Sequence, residues 1–518
     1  MTGRADLAQA QALLGAGRFA EAEALCHAVL ARNTGHAGAW LLLGVIALQT
    51  GNLLYAEATV RRSLSLRPES ADAVAALAAV LKRSGRPAEA EASLRAVGPM
   101  QGPRAATAQV ELAELQRERG ALAEAEATLR QALAADGFSA EAWHALGLLR
   151  QAQGEMAAAE ASFKRALELE PNFVAAWINL GSLKAGLEKF GEAIPLYDRA
   201  LALAPDHAAA HWNRALALLT LGDYPAAWRD YDWRWRIPEL VQSAEVKVLA
   251  RRWRGEPVAG KTVLLHSEQG IGDTIQLARY APLAARQGAR VILAVQPVLV
   301  SLLAQLPNLE RVMSVADPLP PFDLQASLPD LPGLFGTSLA SIPDARGYLR
   351  PDPARAERWS ARFRAESRRK VGLIWAGNPR HRDDRYRSIT LAMLEPLLGR
   401  DDVAWFSLQV GERAKDLAAV SQAPVIDLSG DLSDFSETAA ALSQLDLLIS
   451  VDTAAAHLAG ALGCPTWLLI ARQADWRWMR DRADSPWYTS LRLFRQQRQG
   501  DWAPVIAGVV AAFTQLPQ

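Results

Sequence analysis

Along residues 3–238 apolar positions fall at helical spacing, and one short pattern keeps returning. AWHALG (142–147) and AWINLG (176–181) set Trp143 and Trp177 34 residues apart. Ala159, Ala193 and Ala227 keep that step, as do Pro171 and Pro205. Trp40, Leu43, Gly44, Gly51, Ala56 and Pro68 repeat the spacing earlier. Trp40 and Trp143 are separated by three periods plus one residue, which predicts a one-residue insertion near GPMQGPRA (98–105). The pattern predicts two helices per unit: the Leu-Gly pair and the small Ala lie where helices approach, and Pro ends the second helix. Seven such units fill 3–238.

Beyond YDWRWRIPEL (231–240) the pattern changes to short β-branched runs alternating with helical stretches, which predicts strand–helix–strand units. KTVLLHS (261–267), a helix from Gly272 to Gln287, RVILAVQP (290–297), RVMSV (311–315) and DLQASL (323–328) form a first set. RPDPARAERWSARFRAESRRK (350–370) reads as a charged linking helix. KVGLIWAGN (370–378), VAWFSLQ (403–409), PVIDLSG (424–430), LDLLISVD (445–452) and PTWLLI (465–470) form a second set. The expected fold is therefore an α-solenoid followed by two Rossmann-like α/β domains, 245–365 and 366–518. They face each other across a cleft, with ligands at the carboxyl ends of the strands.

Composition narrows the function. The 56 basic and 56 acidic side chains leave no net field to draw the chain to nucleic acid or to an anionic membrane. Two cysteines, Cys26 and Cys464, with no CxxC partner argue against a disulfide framework or a zinc ribbon. Neither a signal-type N-terminus nor a run of ~18 apolar residues appears, so the expected location is cytoplasmic, with no membrane span. HAAAH (207–211) has the spacing of two helical metal ligands but lacks the acid of HExxH, and it is read as packing.

The strand ends carry the candidate chemistry. HSEQGIGDTIQ (266–276) turns on Gly270 and Gly272 and enters a helix with Asp273 and Thr274 near its start. It has neither the lysine of a P-loop nor the third glycine of a dinucleotide fingerprint. WAGNPRHRDDRYRSI (375–389) turns at Gly377 and Asn378 and crowds Arg380, Arg382, Arg385 and Arg387 into one loop, where guanidinium forks suit phosphate or carboxylate. SVDTAAAHLAGALG (450–463) begins a helix at a strand end with Asp452 and Thr453, and His457 lies one turn in. The free N–H groups of such a helix suit an anion such as a diphosphate.

GIGDTIQLARYAPL, WAGNPRHRDDRYRSI and SVDTAAAHLAGALG resemble the GT-B glycosyltransferases of the heptosyltransferase-like, family 9 type, over roughly residues 245–518. The N-terminal pattern resembles tetratricopeptide repeats (TPRs). The fused plan is similar to bacterial transferases that glycosylate proteins, flagellin among them, and to O-GlcNAc transferase. The resemblance implies a nucleotide-sugar donor held mainly by the second α/β domain, with the first on the acceptor side. The array would hold a protein acceptor, and no bound metal is implied. It makes Asp273 the base for an acceptor hydroxyl, with Gly272 beside it. Asp452, Thr453 and His457 match the diphosphate or ribose motif. Arg385 or Arg387 would stabilise the leaving phosphate, with Trp375, Gly377 and Asn378 in the same loop. Gln409 and Glu412 in SLQVGE would contact base or ribose. Two departures stand out: Ala454 follows Asp-Thr where the lipopolysaccharide enzymes have Gly, and Arg takes the place of their Lys. Both speak against ADP-heptose as donor. Trp476, Trp478 and Trp487 in DWRWMRDRADSPWY are read as packing. The alternatives are a glycan or lipid-linked saccharide as acceptor, or a scaffold whose transferase half is inactive.

Overall fold

The computed structural model describes residues 2–95, 103–243, 251–381, 383–420 and 425–516. Residues 98–102 of the stretch expected to hold the insertion (98–105), the domain start at 245, Arg382 and Pro424 lie outside the described residues. The chain forms two compact units, Met1–Pro205 and Asp206–Gln518.

The first unit is a solenoid of helix pairs, among them Ala140–Ala152 with Met156–Leu169 and Val174–Gly186 with Phe190–Leu203. The repeated residues have distinct physical jobs. A Cβ on Gly147 would sit 2.5 Å from Phe163 Cε1, and one on Gly181 2.7 Å from Tyr197 Cε1, so glycine admits the aromatic ring of the paired helix. Gly154 turns the chain between helices at φ 82°, a left-handed backbone that glycine adopts without strain. Each repeat tryptophan packs its ring and donates Nε1–H to a carbonyl six residues earlier: Trp40 to Thr34, Trp143 to Gly137 and Trp177 to Pro171, at 2.8, 3.1 and 2.9 Å.

The seventh helix pair, Ala208–Leu221 and Tyr224–Tyr231, belongs to the second unit. The expected array of 3–238 is thus divided between units. Ala215, Leu219, Tyr224, Ala227 and Tyr231 share one apolar core with the α/β strands, and Trp487 donates its Nε1–H to the Tyr224 hydroxyl at 2.8 Å. His207 caps its helix by accepting from Ala210 N, and His211 pairs with Asp230 at 2.7 Å.

Two parallel sheets make up the rest. Strands β1 (Thr262–His266), β2 (Arg290–Val295), β3 (Arg311–Ser314) and β4 (Leu324–Ser327) form one, in the order β3-β2-β1-β4. The other holds β5 (Arg369–Ile374), β6 (Val403–Ser407), β7 (Val425–Asp427), β8 (Leu447–Val451), β9 (Thr466–Ile470) and β10 (Leu491–Arg495), in the order β10-β9-β8-β5-β6-β7. All neighbours within the two sheets run parallel, and central strands such as β1 and β8 are buried throughout, as sheets covered on both faces require. β10 was not expected from the sequence. The linking helix, Pro353–Phe363, buries Trp359 and Phe363, the latter 4.6 Å from the Phe406 ring. Among the described residues no helix is long and apolar enough to cross a membrane.

Candidate functional site

β1 ends in a loop that starts the helix Ile271–Leu277, and β8 ends in Asp452 and Thr453 before the helix Ala454–Leu462. Both starts line one cavity of about 980 Å³ together with the loops after β5, β6 and β9. Such a crevice at the carboxyl ends of parallel strands is where an open α/β sheet binds ligands.

Gly272 lets the two helices meet: a Cβ there would lie 2.8 Å from His457 Cδ2. Its role is to admit the imidazole of the facing helix. One residue on, Asp273 accepts from Gly270 N at 2.9 Å and pairs with Arg477 at 2.7 Å, while its side chain keeps 25% exposure toward the cavity. Burial raises the Asp273 carboxyl above its usual range, more than Arg477 lowers it. The result is a carboxylate of increased basicity with an open side.

Arg477 is almost fully buried and yet reaches the cavity. Its Nη1 pairs with Asp475 at 2.9 Å, its Nε donates to Gln276 and its Cζ lies 4.4 Å from the Trp476 ring. Burial works against this charge, but Asp273 and Asp475 outweigh it and hold the guanidinium firmly protonated.

Asp452 accepts Trp478 Nε1–H at 2.9 Å, and burial raises its carboxyl to about 6. His457 Nδ1 lies 3.0 Å from the Tyr488 hydroxyl, and its Nε2 lies 4.0 Å from Asp452 Oδ1. Burial, then the nearby Arg477, Arg279 and Arg387, pull the imidazole down to about 3, so it is neutral at ordinary pH. The Thr453 side chain makes no capping bond to its helix; Ala456 N donates to Thr453 O at 3.1 Å, and the N–H groups of Ala454 and Ala455 remain for a ligand.

In the loop after β5, Gly377, Asn378 and Arg387 line the cavity. A Cβ on Gly377 would meet Asp384 Oδ1 at 2.6 Å and Arg387 Nη2 at 2.8 Å, so this glycine lets the guanidinium lie against the main chain. Glu412 also lines the cavity and is exposed.

Three expected contacts turn out otherwise. Trp375 is fully buried, donates Nε1–H to Asp416 at 3.0 Å and packs in the core of the six-stranded sheet, away from the cavity lining. Arg385 is exposed, stacks on Tyr386 at 4.6 Å and does not line the cavity. Gln409 borders it, but its carbonyl oxygen accepts from Trp375 N and Ala376 N at 3.1 and 2.9 Å and its amide donates to Val410 O. That side chain ties β6 to the end of β5 and has its polar atoms committed.

Reading the sequence missed Arg477, Asp475, Trp478, Tyr488 and the cavity-lining Tyr386. The signal lies in DWRW, where Asp475 and Arg477 alternate with tryptophans. Trp476, Trp478 and Trp487 are indeed buried. Among the described residues no group of three or more His, Cys, Asp or Glu side chains is placed to hold a metal ion.

Comparison with known proteins bears on the repeats. Tetratricopeptide repeat models match residues 7–71, 75–140 and 178–232, and a second model of the same repeat matches 140–173. The N-terminal region is therefore a TPR solenoid, a type of repeat that serves as a protein-binding scaffold. Protein FlbA of Caulobacter vibrioides is 30% identical over an alignment that takes in 58% of this chain and 54% of that protein. The chain thus spans about half the length of this curated relative. Among solved structures, the APC/C heterotetramer Cut9–Hcn1 matches at 20% identity and a TM-score of 0.39, over 44% of this chain and 45% of that one. Pseudomonas aeruginosa PilF matches at 22% and 0.34, over 40% of this chain and 94% of that one.

Proposed function

We propose that the chain is a metal-independent glycosyltransferase of GT-B type, in which the TPR array recruits a polypeptide and the cavity transfers a sugar from a nucleotide-sugar to a hydroxyl of it. The observation that carries this reading is the convergence of Asp273 with the Asp452–Thr453 helix start on one cavity at the carboxyl ends of two parallel sheets. Asp273 has the basicity and the open side that a general base for an acceptor hydroxyl needs. The Ala454–Leu462 helix start, with the neutral His457 and the cationic Arg387, suits the diphosphate that departs when the glycosidic bond breaks. Asp273 would take the hydroxyl proton as the acceptor oxygen attacks the anomeric carbon. The helix dipole and Arg387 would carry the charge developing on the leaving phosphate. Among the cavity walls, Tyr386 and Val410 offer exposed apolar area for the flat face of a nucleobase.

The test is release of nucleoside diphosphate from a panel of UDP-, GDP-, ADP- and CDP-sugars, with and without a library of Ser/Thr peptides. One donor should turn over, and Asp273→Asn should lower its rate by about 10²–10⁴-fold with nucleotide affinity kept. No turnover of any donor, together with an Asp273→Asn protein that behaves as the parent, would remove the reading.

A further inference from the structure

We infer that Tyr488 fixes His457 as a neutral imidazole with its proton on Nε2, so that the ring presents a single N–H donor beside Asp452 to an anionic group in the cavity. Four observations carry this. The Tyr488 hydroxyl is 3.0 Å from Nδ1, and both rings are buried, so water does not compete for that hydrogen bond. A phenol that stays protonated has one hydrogen to give, and burial keeps Tyr488 so. On the other side of Tyr488 lies Arg279, a buried guanidinium whose Cζ is 4.9 Å from the tyrosine ring. That cation lies close enough to the imidazole to disfavour a second proton on the ring. Finally, Nε2 is the nitrogen facing Asp452 Oδ1 at 4.0 Å, and a carboxylate favours a proton there over a lone pair.

The groups facing His457 are therefore Tyr488 and Trp478 from the segment after β9, Asp452 from its own loop, and the cations Arg279, Arg387 and Arg477. Three cations keep the ring from taking a second proton, and one phenol decides where its single proton sits. Neighbouring contacts lock the arrangement. A Cβ on Gly460 would lie 2.4 Å from Tyr488 Cγ, and Gly272 closes on the imidazole from the facing helix. Tyr488 and Arg279 are thus positioning residues, acting through His457. A neutral donor suits a phosphate oxygen while leaving the charge balance to Arg387 and the helix start. The identity of that anion as a nucleoside diphosphate rests on the function proposed above, whereas the tautomer does not.

The experiment uses the full-length protein labelled with ¹⁵N-histidine, with His457 assigned by comparison with His457→Gln. Long-range ¹H–¹⁵N spectra at about pH 7–8, where Asp452 is ionised, should show Nε2 as the protonated, pyrrole-type nitrogen and Nδ1 as pyridine-type. Tyr488→Phe, which keeps the ring and removes the hydroxyl, should shift the population toward the Nδ1–H form. Isothermal titration with UDP, GDP, ADP and CDP should find the nucleotide that binds the parent bound roughly 3- to 10-fold more weakly by Tyr488→Phe, the loss of one oriented hydrogen bond. His457→Gln, whose amide can place a neutral donor near the Nε2 position, should bind better than His457→Ala. An Nδ1–H or doubly protonated ring in the parent overturns the inference, and so does a tautomer that ignores Tyr488→Phe. A parent protein that binds none of the four nucleotides but shows the expected tautomer response refutes the nucleotide reading and leaves the relay standing.

Discussion

Asp452 and His457 lean on protein stability in opposite directions as pH changes. Asp452 titrates near 6 in the folded chain, above the ordinary carboxylate range, so the folded state holds the extra proton between about pH 4 and 6. Its contribution therefore falls as pH rises through that window and stays low above it. His457 titrates near 3 when folded and near 6.5 when unfolded, so the unfolded state binds the extra proton and stability falls as pH drops below 6.5. Removing the charge at Asp452 should expose this. Asp452→Asn keeps an acceptor for Trp478 Nε1–H and should stabilise the second unit by about 2 kcal/mol at about pH 7.5, an advantage that fades toward pH 4. Thermal melts across that range check it, and an advantage independent of pH would mean that Asp452 does not titrate there.

At the scale of elements, glycines decide which helices can meet. Gly272→Ala should push against the His457 ring, a rigid neighbour, and weaken nucleotide binding by about tenfold while leaving the melting of the repeats unchanged. Gly181→Val, against Tyr197 in the first unit, should do the reverse: lower the stability of the repeats by about 1–3 kcal/mol and spare nucleotide affinity. Unfolding transitions followed alongside titrations separate the two. These positions also mark what could be read in the chain. The repeats are legible because Trp, Leu-Gly and Ala recur at a fixed step, and nine of the ten strands among the described residues because apolar runs alternate with helical spacing. β10 escaped because LRLFR carries Arg492 and Arg495 among only three apolar residues, so its apolar content looks too thin for a strand. Gln409 was misjudged for another reason. Its amide binds the main chain at Trp375 and Ala376, and that depends on β6 lying beside β5, a neighbour relation no local pattern contains. Arg477 reaches Asp273 from 204 positions away and was hidden likewise.

At the scale of the whole molecule, the boundary between units lies one helix pair earlier than repeat periodicity implies. Tyr224, Trp228 and Tyr231 are covered by the α/β region, with Trp228 donating to Thr337 O at 2.8 Å. A chain beginning at Asp206 should therefore stay soluble and melt cooperatively, whereas one beginning at Pro238 would uncover that aromatic face and aggregate. Light scattering of the two checks this, and equal behaviour would argue that the seventh pair is dispensable to the second unit. The central claim, that the cavity is a nucleotide-sugar site served by the Asp452–His457 helix start, is tested most directly by thermal shift. The full-length protein and His457→Ala would each be measured with UDP, GDP, ADP and CMP and their sugars. The account predicts that one nucleotide family stabilises the parent, by about 2.7 kcal/mol at ~100 times its dissociation constant, and that the variant loses most of this. No shift with any nucleotide would contradict it and leave the chain a TPR scaffold.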